Sequence, residues 1–341
     1  MEELDEQFMR RAIELARRGR GHTSPNPMVG AVIVAADDKT IIGEGYHRRC
    51  GEAHAEVNAV RSVKDKTHLS SATIYVTLEP CAHYGKTPPC AKLLVESRFR
   101  RVVIGAVDPF AKVCGRGIAM LREAGIEVTT DVLADDCRRL NAAFFTAHTL
   151  RRPFVTLKWA QSRDGYIDRK RCPDETPAAF STALGRVAVH RLRAAHDAIL
   201  VGSSTVIADN PLLNNRLWPG SSPRPVIIDC RKRVDTKYNI TKSEKLITIS
   251  ETQAIDHILS NLYESYDITS LLVEGGAATL QSFIDAGLWD VARVEVSDCI
   301  LGADGSVRAP SIAAAPAEVC QIGQNRLIYY TNNPLVDVKN L

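Results

Sequence analysis

The sequence is short of several features that mark other classes of protein. Positive charges exceed negative charges by only 3 in 341 residues, and aromatic residues make up 6% of the chain, which gives little support to a nucleic-acid groove or a membrane-surface patch. No stretch approaches the ~20 apolar residues of a membrane span. The nine cysteines are odd in number and the acidic N-terminus is not a signal peptide, so no disulfide framework is expected. These absences indicate a soluble, cytoplasmic protein.

The length and the order of predicted elements indicate two α/β domains, because 341 residues exceed what one hydrophobic core usually spans. After an amphipathic N-terminal helix, strands alternate with helices. The basic, proline-ending segment HTLRRP separates the halves, and we place the boundary between residues 150 and 151. In the second half we predict a helix over 183–195 and a strand, SLLVEGG, that leads into another helix. The segment ARVEVSDCIL is predicted to close the domain as a strand.

A candidate metal site lies in the first half. His54 and Glu56 open a predicted helix, Cys81 follows a strand, and Cys90 opens another helix. Thiolate and imidazole suit zinc, and three protein ligands leave a fourth position for water. Glu56 is two residues from His54 and is the natural proton carrier. Zinc deaminases of nucleobases carry His-x-Glu followed by Pro-Cys-x-x-Cys, with the glutamate as acid and base.

The spacing of the two cysteines departs from that general pattern, since eight residues separate Cys81 from Cys90. Taken alone, the pair is weak support for a metal, and a helical histidine with two unrelated buried thiols is the plain alternative. The whole set, with a Pro-Asn-Pro turn upstream and two Pro-Cys contexts, favours zinc.

The segments HAEVNA, TLEPCAHYGKTPPC, PNPMVGAVIV, GEGYH and DPFAKVCGRGI together resemble the bifunctional deaminase/reductase family of riboflavin biosynthesis. In that family the longer insert between the cysteines belongs to the pattern. The resemblance covers essentially the whole chain. It implies an N-terminal cytidine-deaminase-like three-layer domain over residues 1–150, with zinc on His54, Cys81 and Cys90 and with Glu56 as the proton shuttle.

The same resemblance implies four residues that hold the deaminase substrate: Asn26, His47, His83 and Lys86. Lys86 makes independent sense, because the family substrate carries a ribose phosphate and an ammonium group suits phosphate. Without the resemblance, Lys86 is a solvated loop lysine and Asn26 is a turn residue between two prolines.

In the second half, the segment LLVEGGAATL joins a strand, a glycine pair and a helix N-terminus, which presents backbone N–H groups to an anion. A tight turn is the plain alternative. The resemblance implies a dihydrofolate-reductase-like α/β domain over residues 151–341 that uses NADPH. It places Thr205, Asp209 and Gly276 at the cofactor, with Lys158 and Asp164 in the same cleft. It places Arg193, Leu213, Arg216 and Glu274 at the substrate, where the two arginines are expected to clamp phosphate.

The resemblance is less complete in one loop of the second half. Many family members have Ser-Gln-Trp where this chain has Pro177, Ala178 and Ala179, and there the serine and tryptophan contact substrate and cofactor. Our hypothesis is that Phe180 replaces the lost aromatic surface.

These observations predict a cytoplasmic enzyme. Its expected partners are small phosphorylated pyrimidines and, from the resemblance, further copies of itself in a dimer or tetramer; nucleic acid and membrane are not expected partners. Zinc serves deamination of a diaminopyrimidinone ribosyl phosphate, and NADPH then reduces the ribosyl group to ribityl. Three alternatives stay open: a deaminase with a degenerate reductase domain, a deaminase that edits nucleic acid, and a zinc-stabilised module without catalysis.

Overall fold

The polypeptide divides between Leu150 and Arg151 into two units, each with its own sheet. The computed structural model describes residues 2–82, 88–109, 115–172, 175–336 and 338. Both units are α/β structures, as the alternation of predicted strands and helices requires.

In the described residues of the first unit, five strands form one sheet in the order β2-β1-β3-β4-β5. Strands β1 and β2 are antiparallel, whereas β3, β4 and β5 run parallel to one another. The elements are α1 (Glu2–Arg17), β1 (Gly30–Val34), β2 (Ile41–Tyr46), α2 (Ala55–Ser62), β3 (Thr73–Leu78), α3 (Cys90–Glu96), β4 (Arg101–Ala106), α4 (Arg116–Glu123), β5 (Glu127–Thr129), α5 (Ala134–Leu140) and α6 (Ala142–Leu150).

Helices cover both faces of this sheet, which makes the unit three-layered. Alternate strand residues such as Ile33 and Ile74 pack with Ala59 of α2 and Leu94 of α3, while α1 packs on the opposite face, where the rings of Phe8 and Tyr75 lie 5.2 Å apart. Because each central strand is covered on both faces, β1, β3 and β4 are buried along their whole length.

Helix α2 lies unusually close to β2. A Cβ atom at Gly45 would lie 2.2 Å from the backbone nitrogen of Ala59 and 2.5 Å from the carbonyl oxygen of Ala55. No side chain fits at this contact, so glycine is required there. The contact fixes the start of α2, and with it the residues that precede the helix.

A buried ion pair joins α1 to the central strands. Arg101 donates two hydrogen bonds, of 2.9 and 2.8 Å, to the carboxylate of Asp5, and the hydroxyl of Tyr75 donates a third of 2.9 Å. Asp5 is 5% exposed and Arg101 is 8% exposed. Each charge depends on the other for its solvation, because neither faces water.

In the described part of the second unit, eight strands form a sheet in the order β10-β9-β8-β11-β6-β12-β15-β14. The first six run parallel, and β15 and β14 add an antiparallel hairpin. The elements are β6 (Phe154–Gln161), β7 (Tyr166–Arg169), α7 (Ala183–Ala195), β8 (Ala198–Gly202), α8 (Ser203–Asp209), β9 (Arg224–Ile228), β10 (Ile247–Ile249), α9 (Ile255–Tyr266), β11 (Ser270–Val273), α10 (Ala277–Asp285), β12 (Val291–Val296), β13 (Gly305–Arg308), β14 (Glu318–Ile322) and β15 (Asn325–Thr331).

The two faces of this sheet differ. One face is apolar throughout and packs against Leu259 of α9 and Phe283 of α10. The other face is apolar under α8, around Ile199 and Val206. It becomes polar towards α7, where Lys158, Arg293 and Glu295 point to the same side, since they alternate with residues of the apolar face.

The prediction that the segment at 292–301 closes the domain was wrong. Strand β12 ends at Val296, and three more strands follow it. Val319 of β14 is 54% exposed, so the apolar alternation that identifies a strand does not follow burial there. Among the described helices, none has the length and apolar character needed to cross a membrane.

The Asp5–Arg101 pair yields a stability prediction. Replacing Asp5 by Asn should destabilise the first unit by about 3–5 kcal/mol, because it removes the buried carboxylate of the pair and leaves Arg101, among the described residues, only the exposed Glu127 as an ion-pair partner. Urea unfolding followed by deaminase activity measures the change.

Glu6→Gln is the matched control in the same helix, since Glu6 pairs with Arg10 at the surface and its loss should barely move the midpoint. Equal midpoints for the two variants would contradict the prediction.

Candidate active sites

The three predicted metal ligands of the first unit lie together. His54 precedes α2, Cys81 follows β3, and Cys90 begins α3. The Sγ atoms of Cys90 and Cys81 lie 3.3 and 3.7 Å from Nδ1 of His54, and all three ligand atoms lie within 4.8 Å of one another. Tetrahedral zinc, about 2.3 Å from sulfur and about 2.0 Å from nitrogen, separates its ligands by roughly 3.6 Å. The spacing therefore fits a zinc ion.

The protonation of this cluster also suits a cation. The hydrogen bond from the Cys90 thiol lowers the pKa of Cys81 to about 4, and the backbone N–H of Cys90 donates to the same sulfur at 3.3 Å. The hydrogen bond with Cys81 raises the pKa of His54. The start of α3 thus helps to stabilise a thiolate, and the shared protons are those that a metal ion replaces.

Glu56 lies in the first turn of α2 beside the cluster. It is 3% exposed, and this burial raises the pKa of its carboxyl to about 6. Its carboxyl also contacts the Cys90 thiol. A group with such a pKa can take up and release a proton near neutral pH.

Asn26 and His47 meet next to the same cluster. Nδ2 of Asn26 lies 3.2 Å from Nε2 of His47, and Nδ1 of His47 lies 3.2 Å from the carbonyl oxygen of Ala53. Nδ1 therefore carries the proton and Nε2 accepts. Burial lowers the pKa of His47, so the ring is neutral, and it lies 5.3 Å from the ring of His54. His83 and Lys86 fall outside the described residues.

In the second unit, Arg193 is directed at Glu274. Its Nε and Nη2 donate to the two carboxylate oxygens of Glu274 at 3.0 and 2.6 Å, and Nη1 donates to the carbonyl oxygen of Asn214 at 3.0 Å. The fork expected to hold phosphate is thus occupied by a carboxylate. Arg216 donates to the side chain of Asn214 at 2.9 Å, so the structure brings both arginines to one loop.

Leu213, which the resemblance places at the substrate, has a buried side chain. The side chain is 4% exposed and packs with Ile199 and Val206. Its φ of 51° is in the left-handed region, which non-glycine residues rarely adopt outside functional loops. The side chain of Leu213 therefore belongs to the core of the second unit, and its left-handed backbone shapes the turn before Asn214.

Thr205 and Gly276 face each other, as a shared cofactor site requires. A Cβ atom at Gly276, where φ is +44°, would lie 3.1 Å from Oγ1 of Thr205. The preceding Gly275 packs against Val201, where a Cβ atom would lie 2.4 Å from Cα. The turns after β8 and β11 therefore meet at the carboxyl ends of parallel strands, where open α/β sheets bind ligands.

The two aspartates expected at the cofactor both have protein partners. Asp164 accepts hydrogen bonds from the backbone N–H groups of Leu301, at 3.1 Å, and Gly302, at 2.8 Å, and the hydrogen bond with Ser162 contributes most to lowering its pKa to about 2. Asp209 forms an ion pair with Arg171. Both carboxylates hold loops in place.

The hypothesis that Phe180 supplies an aromatic surface is wrong. Its side chain is 7% exposed, because the ring turns into the unit and the carbonyl oxygen accepts a hydrogen bond of 2.7 Å from Asn325. Pro177 and Ala179 are exposed, so the surface at this loop has no aromatic ring between residues 175 and 180.

Comparison with known proteins assigns both units. Residues 2–106 match the cytidine and deoxycytidylate deaminase zinc-binding region, and residues 153–324 match the RibD C-terminal domain. The riboflavin biosynthesis protein RibD of Aquifex aeolicus is 35% identical, over 96% of this chain and 98% of the relative. The chain belongs to the RibD family.

Solved structures agree. RibD of Acinetobacter baumannii superposes with a TM-score of 0.86 at 34% identity, covering 97% of this chain and 99% of that chain. A deaminase/reductase of Thermotoga maritima gives 0.83 at 37% identity, covering 96% and 98%. These matches confirm the predicted fold class. The protein is a bifunctional riboflavin-biosynthesis enzyme, a zinc-dependent deaminase and an NADPH-dependent reductase, and nothing favours a degenerate reductase.

Sequence reasoning missed Glu79, which precedes the Pro80-Cys81 pair of this RibD chain. Its buried carboxylate accepts hydrogen bonds from four backbone N–H groups, at distances of 3.0 to 3.3 Å, those of residues 108, 115, 117 and 118. A Cβ atom at Gly117 would lie 2.1 Å from the carbonyl oxygen of Pro80. Glu79 and Gly117 together bind the start of α4 to the segment that carries Cys81. In the sequence, the position of Glu79 directly before Pro80 and Cys81 was the feature that could have identified it.

Asn141 was also missed. Its amide accepts from the backbone N–H of Met28 and donates to the carbonyl oxygen of Met28, both at 2.8 Å, and it is 5% exposed. Because Met28 lies two residues after Asn26, Asn141 holds the loop that brings Asn26 to His47. No local pattern could reveal it, since 113 residues separate Asn141 from Met28.

Asn141 should therefore act as a positioning residue for deamination. We expect Asn141→Ala to raise the KM for deamination roughly tenfold, because two buried hydrogen bonds to the loop cost about 1–3 kcal/mol. Steady-state ammonia release measures it, and Asn141→Asp, which keeps only the acceptor, should have an intermediate effect.

The reductase rate and the zinc content of the same preparation are the internal controls and should not change. An unchanged KM, or a loss of zinc that parallels the loss of deamination, would rule out the positioning role.

Proposed function

We propose that deamination takes place in residues 1–150, on a site formed by His54, Cys81 and Cys90 as zinc ligands and by Glu56. The substrate is 2,5-diamino-6-(5-phosphoribosylamino)pyrimidin-4-one. Zinc supplies a Lewis acid that makes water nucleophilic at neutral pH. The observation that carries the proposal is the convergence of three ligand atoms within 4.8 Å beside a carboxyl that burial keeps easily protonated.

Glu56 moves the proton. Its carboxylate accepts a proton from the attacking water, and the resulting acid donates it to the amino group, which departs as ammonia. The raised pKa of about 6 supports both halves of this exchange. The contact with Cys90 fixes the carboxyl on the side of the ligand cluster.

Asn26 and His47 hold the pyrimidine in this proposal. The neutral ring of His47 is oriented by the Ala53 carbonyl oxygen and accepts a hydrogen bond from Nδ2 of Asn26. This fixes the Asn26 amide, whose second N–H and carbonyl oxygen are the groups offered to the pyrimidine. His83 and Lys86 remain predictions from the resemblance, with Lys86 at the substrate phosphate.

We assign reduction to residues 151–341, where NADPH supplies a hydride to the ribosyl carbon C1′. Thr205 and the turn at Gly275–Gly276 are placed at the cofactor, supported by their contact at the ends of β8 and β11. Arg216, Arg193, Glu274 and the Leu213 main chain are placed at the substrate. Burial lowers the pKa of Lys158, and the negative charge of Glu274 opposes this shift. Asp164 and Asp209 are assigned to shaping the cofactor loops.

A cytoplasmic location and assembly into dimers or tetramers remain predictions, the first from the sequence and the second from the resemblance. Light scattering on the purified chain tests the assembly state. The nucleic-acid-editing alternative predicts salt-dependent binding to single strands, whereas the small-molecule function predicts none.

Glu56→Gln separates the enzyme from a zinc-stabilised module without catalysis. We expect deamination to fall by about 10²- to 10⁴-fold, because an amide cannot carry the proton. The measurement is ammonia release, with zinc content and reductase rate recorded on the same sample.

Both controls should match the wild type, since Gln keeps the shape of the side chain. Deamination at the wild-type rate would refute the role of Glu56, and lost zinc would make the residue structural instead.

Ala179→Trp tests the altered reductase loop. Restoring the tryptophan of many relatives should lower the Kd for NADPH by up to roughly tenfold, because aromatic stacking contributes about 0.5–1.5 kcal/mol beyond burial. Ala179 is exposed, so the side chain has room.

Ala179→Leu is the control for apolar area without a ring. If Leu tightens NADPH binding as much as Trp, stacking is not the reason, and if neither does, this loop does not contact the cofactor. NADPH fluorescence titration decides between them.

A further inference from the structure

A fully buried carboxylate lies on the polar face of the second sheet, beneath α7. Glu295 of β12 is 0% exposed, and its register partners are Ala160 of β6 and Leu327 of β15. A carboxylate that is removed from water is costly unless hydrogen bonds replace its hydration. The groups that donate those hydrogen bonds therefore show what Glu295 organises.

The donors come from the segment that precedes α7 and from the start of β15. One oxygen, Oε2, accepts from the Ser181 hydroxyl at 2.8 Å. The other, Oε1, accepts from the Thr182 backbone N–H at 3.3 Å and from the Asn325 side-chain amide at 2.7 Å. The same amide of Asn325 donates to the carbonyl oxygen of Phe180 at 2.7 Å. Glu295 thus holds residues 181 and 182 directly and residue 180 through Asn325.

The first turn of α7 packs directly against the same carboxylate. A Cβ atom at Gly185 would lie 2.4 Å from Oε1 of Glu295 and 2.7 Å from Oε2, so no side chain fits between the helix and the strand. Thr182 caps the helix, because its side chain accepts from the backbone N–H of Gly185 at 3.0 Å. The negative charge of Glu295 also suits the positive end of the helix dipole. The position of this turn is therefore defined by Glu295.

Helix α7 carries two residues on the substrate side of the reductase site. Arg193 donates to both carboxylate oxygens of Glu274, and Nδ1 of His190 accepts from the backbone N–H of Arg216 at 3.1 Å. Arg193 lies eight residues after Gly185, which is about 12 Å along a helix. A displacement of the first turn therefore displaces both contacts, since the hydrogen-bonded turns of one helix move together.

We propose that Glu295 is a positioning residue for the reduction: it fixes residues 180–182 and the first turn of α7, and so fixes where Arg193 and His190 lie. The inference rests on the proposed function, which places Arg193 and Arg216 at the substrate. Glu295 acts through the helix and does not itself contact the reacting atoms. Its loss should therefore weaken substrate binding before it affects hydride transfer.

Two replacements of similar size separate the hydrogen bonds from the shape of the side chain. In Glu295→Gln, the amide oxygen can accept from Asn325 and Thr182, and the amide N–H can donate to the Ser181 hydroxyl. Its KM for the deaminated pyrimidine should stay within about threefold of the wild type. Glu295→Met leaves all these donors without an acceptor, and its KM should rise roughly tenfold or more. Steady-state NADPH oxidation measures both values.

The split between KM and kcat distinguishes positioning from a loss of folded protein. Unfolding removes active enzyme and lowers the rate at saturation, but it leaves KM unchanged. For Glu295→Met we expect the higher KM with a kcat that falls by less than about threefold. Deamination and zinc content of the same sample are controls for the first unit. A wild-type KM in Glu295→Met, or a KM in Glu295→Gln that rises as much as in Glu295→Met, would overturn the proposal.

Ser181→Ala keeps the test decisive if Glu295→Met does not fold. It removes one of the hydrogen bonds to Glu295 and leaves the other two, so KM should rise by roughly two- to tenfold. Ser260→Ala in α9, which packs on the apolar face of the sheet, is the matched control and should keep the wild-type KM. Equal KM values for the two serine variants would contradict the role of Glu295.

Amide hydrogen exchange followed by mass spectrometry reports on the anchoring without substrate. Peptides that cover residues 181–187 should exchange faster in Glu295→Met than in the wild type, and at the wild-type rate in Glu295→Gln. Unchanged exchange in Glu295→Met would refute the anchoring. Faster exchange with a wild-type KM would refute the positioning role alone, and wild-type protein that oxidises no NADPH would refute the proposed reduction instead.

Discussion

The geometry of the first unit depends on three segments meeting at one point, because the ligand atoms of His54, Cys81 and Cys90 must lie within 4.8 Å of one another. Two of these segments are held by contacts of a glycine that leave no room for a side chain. The start of α2 is set by the close approach of Gly45 to Ala59, and the end of β3 by Gly117 beneath Pro80. Metal binding thus constrains positions that never touch the metal.

Each unit has a carboxylate that orients backbone N–H groups and takes no part in the chemistry. Glu79 accepts hydrogen bonds from four backbone N–H groups, three at the start of α4 and one at residue 108. Asp164 accepts from the N–H groups of Leu301 and Gly302. Such a carboxylate is satisfied and unavailable to a ligand. Glu56 is different, because its burial is relieved by few hydrogen bonds and its proton stays exchangeable.

The local part of each site could be predicted from the sequence, and the long-range part could not. His54, Glu56 and the two Pro-Cys pairs form recognisable short motifs, since helix starts and strand ends place their side chains. Asn141 contacts Met28 across 113 residues, and no periodicity encodes such a pair. Strand β14 escaped prediction because Val319 faces solvent, which inverts the pattern on which strand prediction relies.

The residues predicted to contact the cofactor fall into two groups, the charged aspartates and the uncharged residues of the turns. Asp164 and Asp209 have hydrogen bonds or an ion pair within the unit, so a bound cofactor would have to break existing contacts to use them. Thr205 and the Gly275–Gly276 turn lie next to each other at the ends of parallel strands. Arg293 is the opposite case, because the residue is 2% exposed and, in the described part of the chain, its Nη1 and Nη2 have no hydrogen-bond partner. The chemistry of this site is therefore set as much by which charges remain unpaired as by which residues line it.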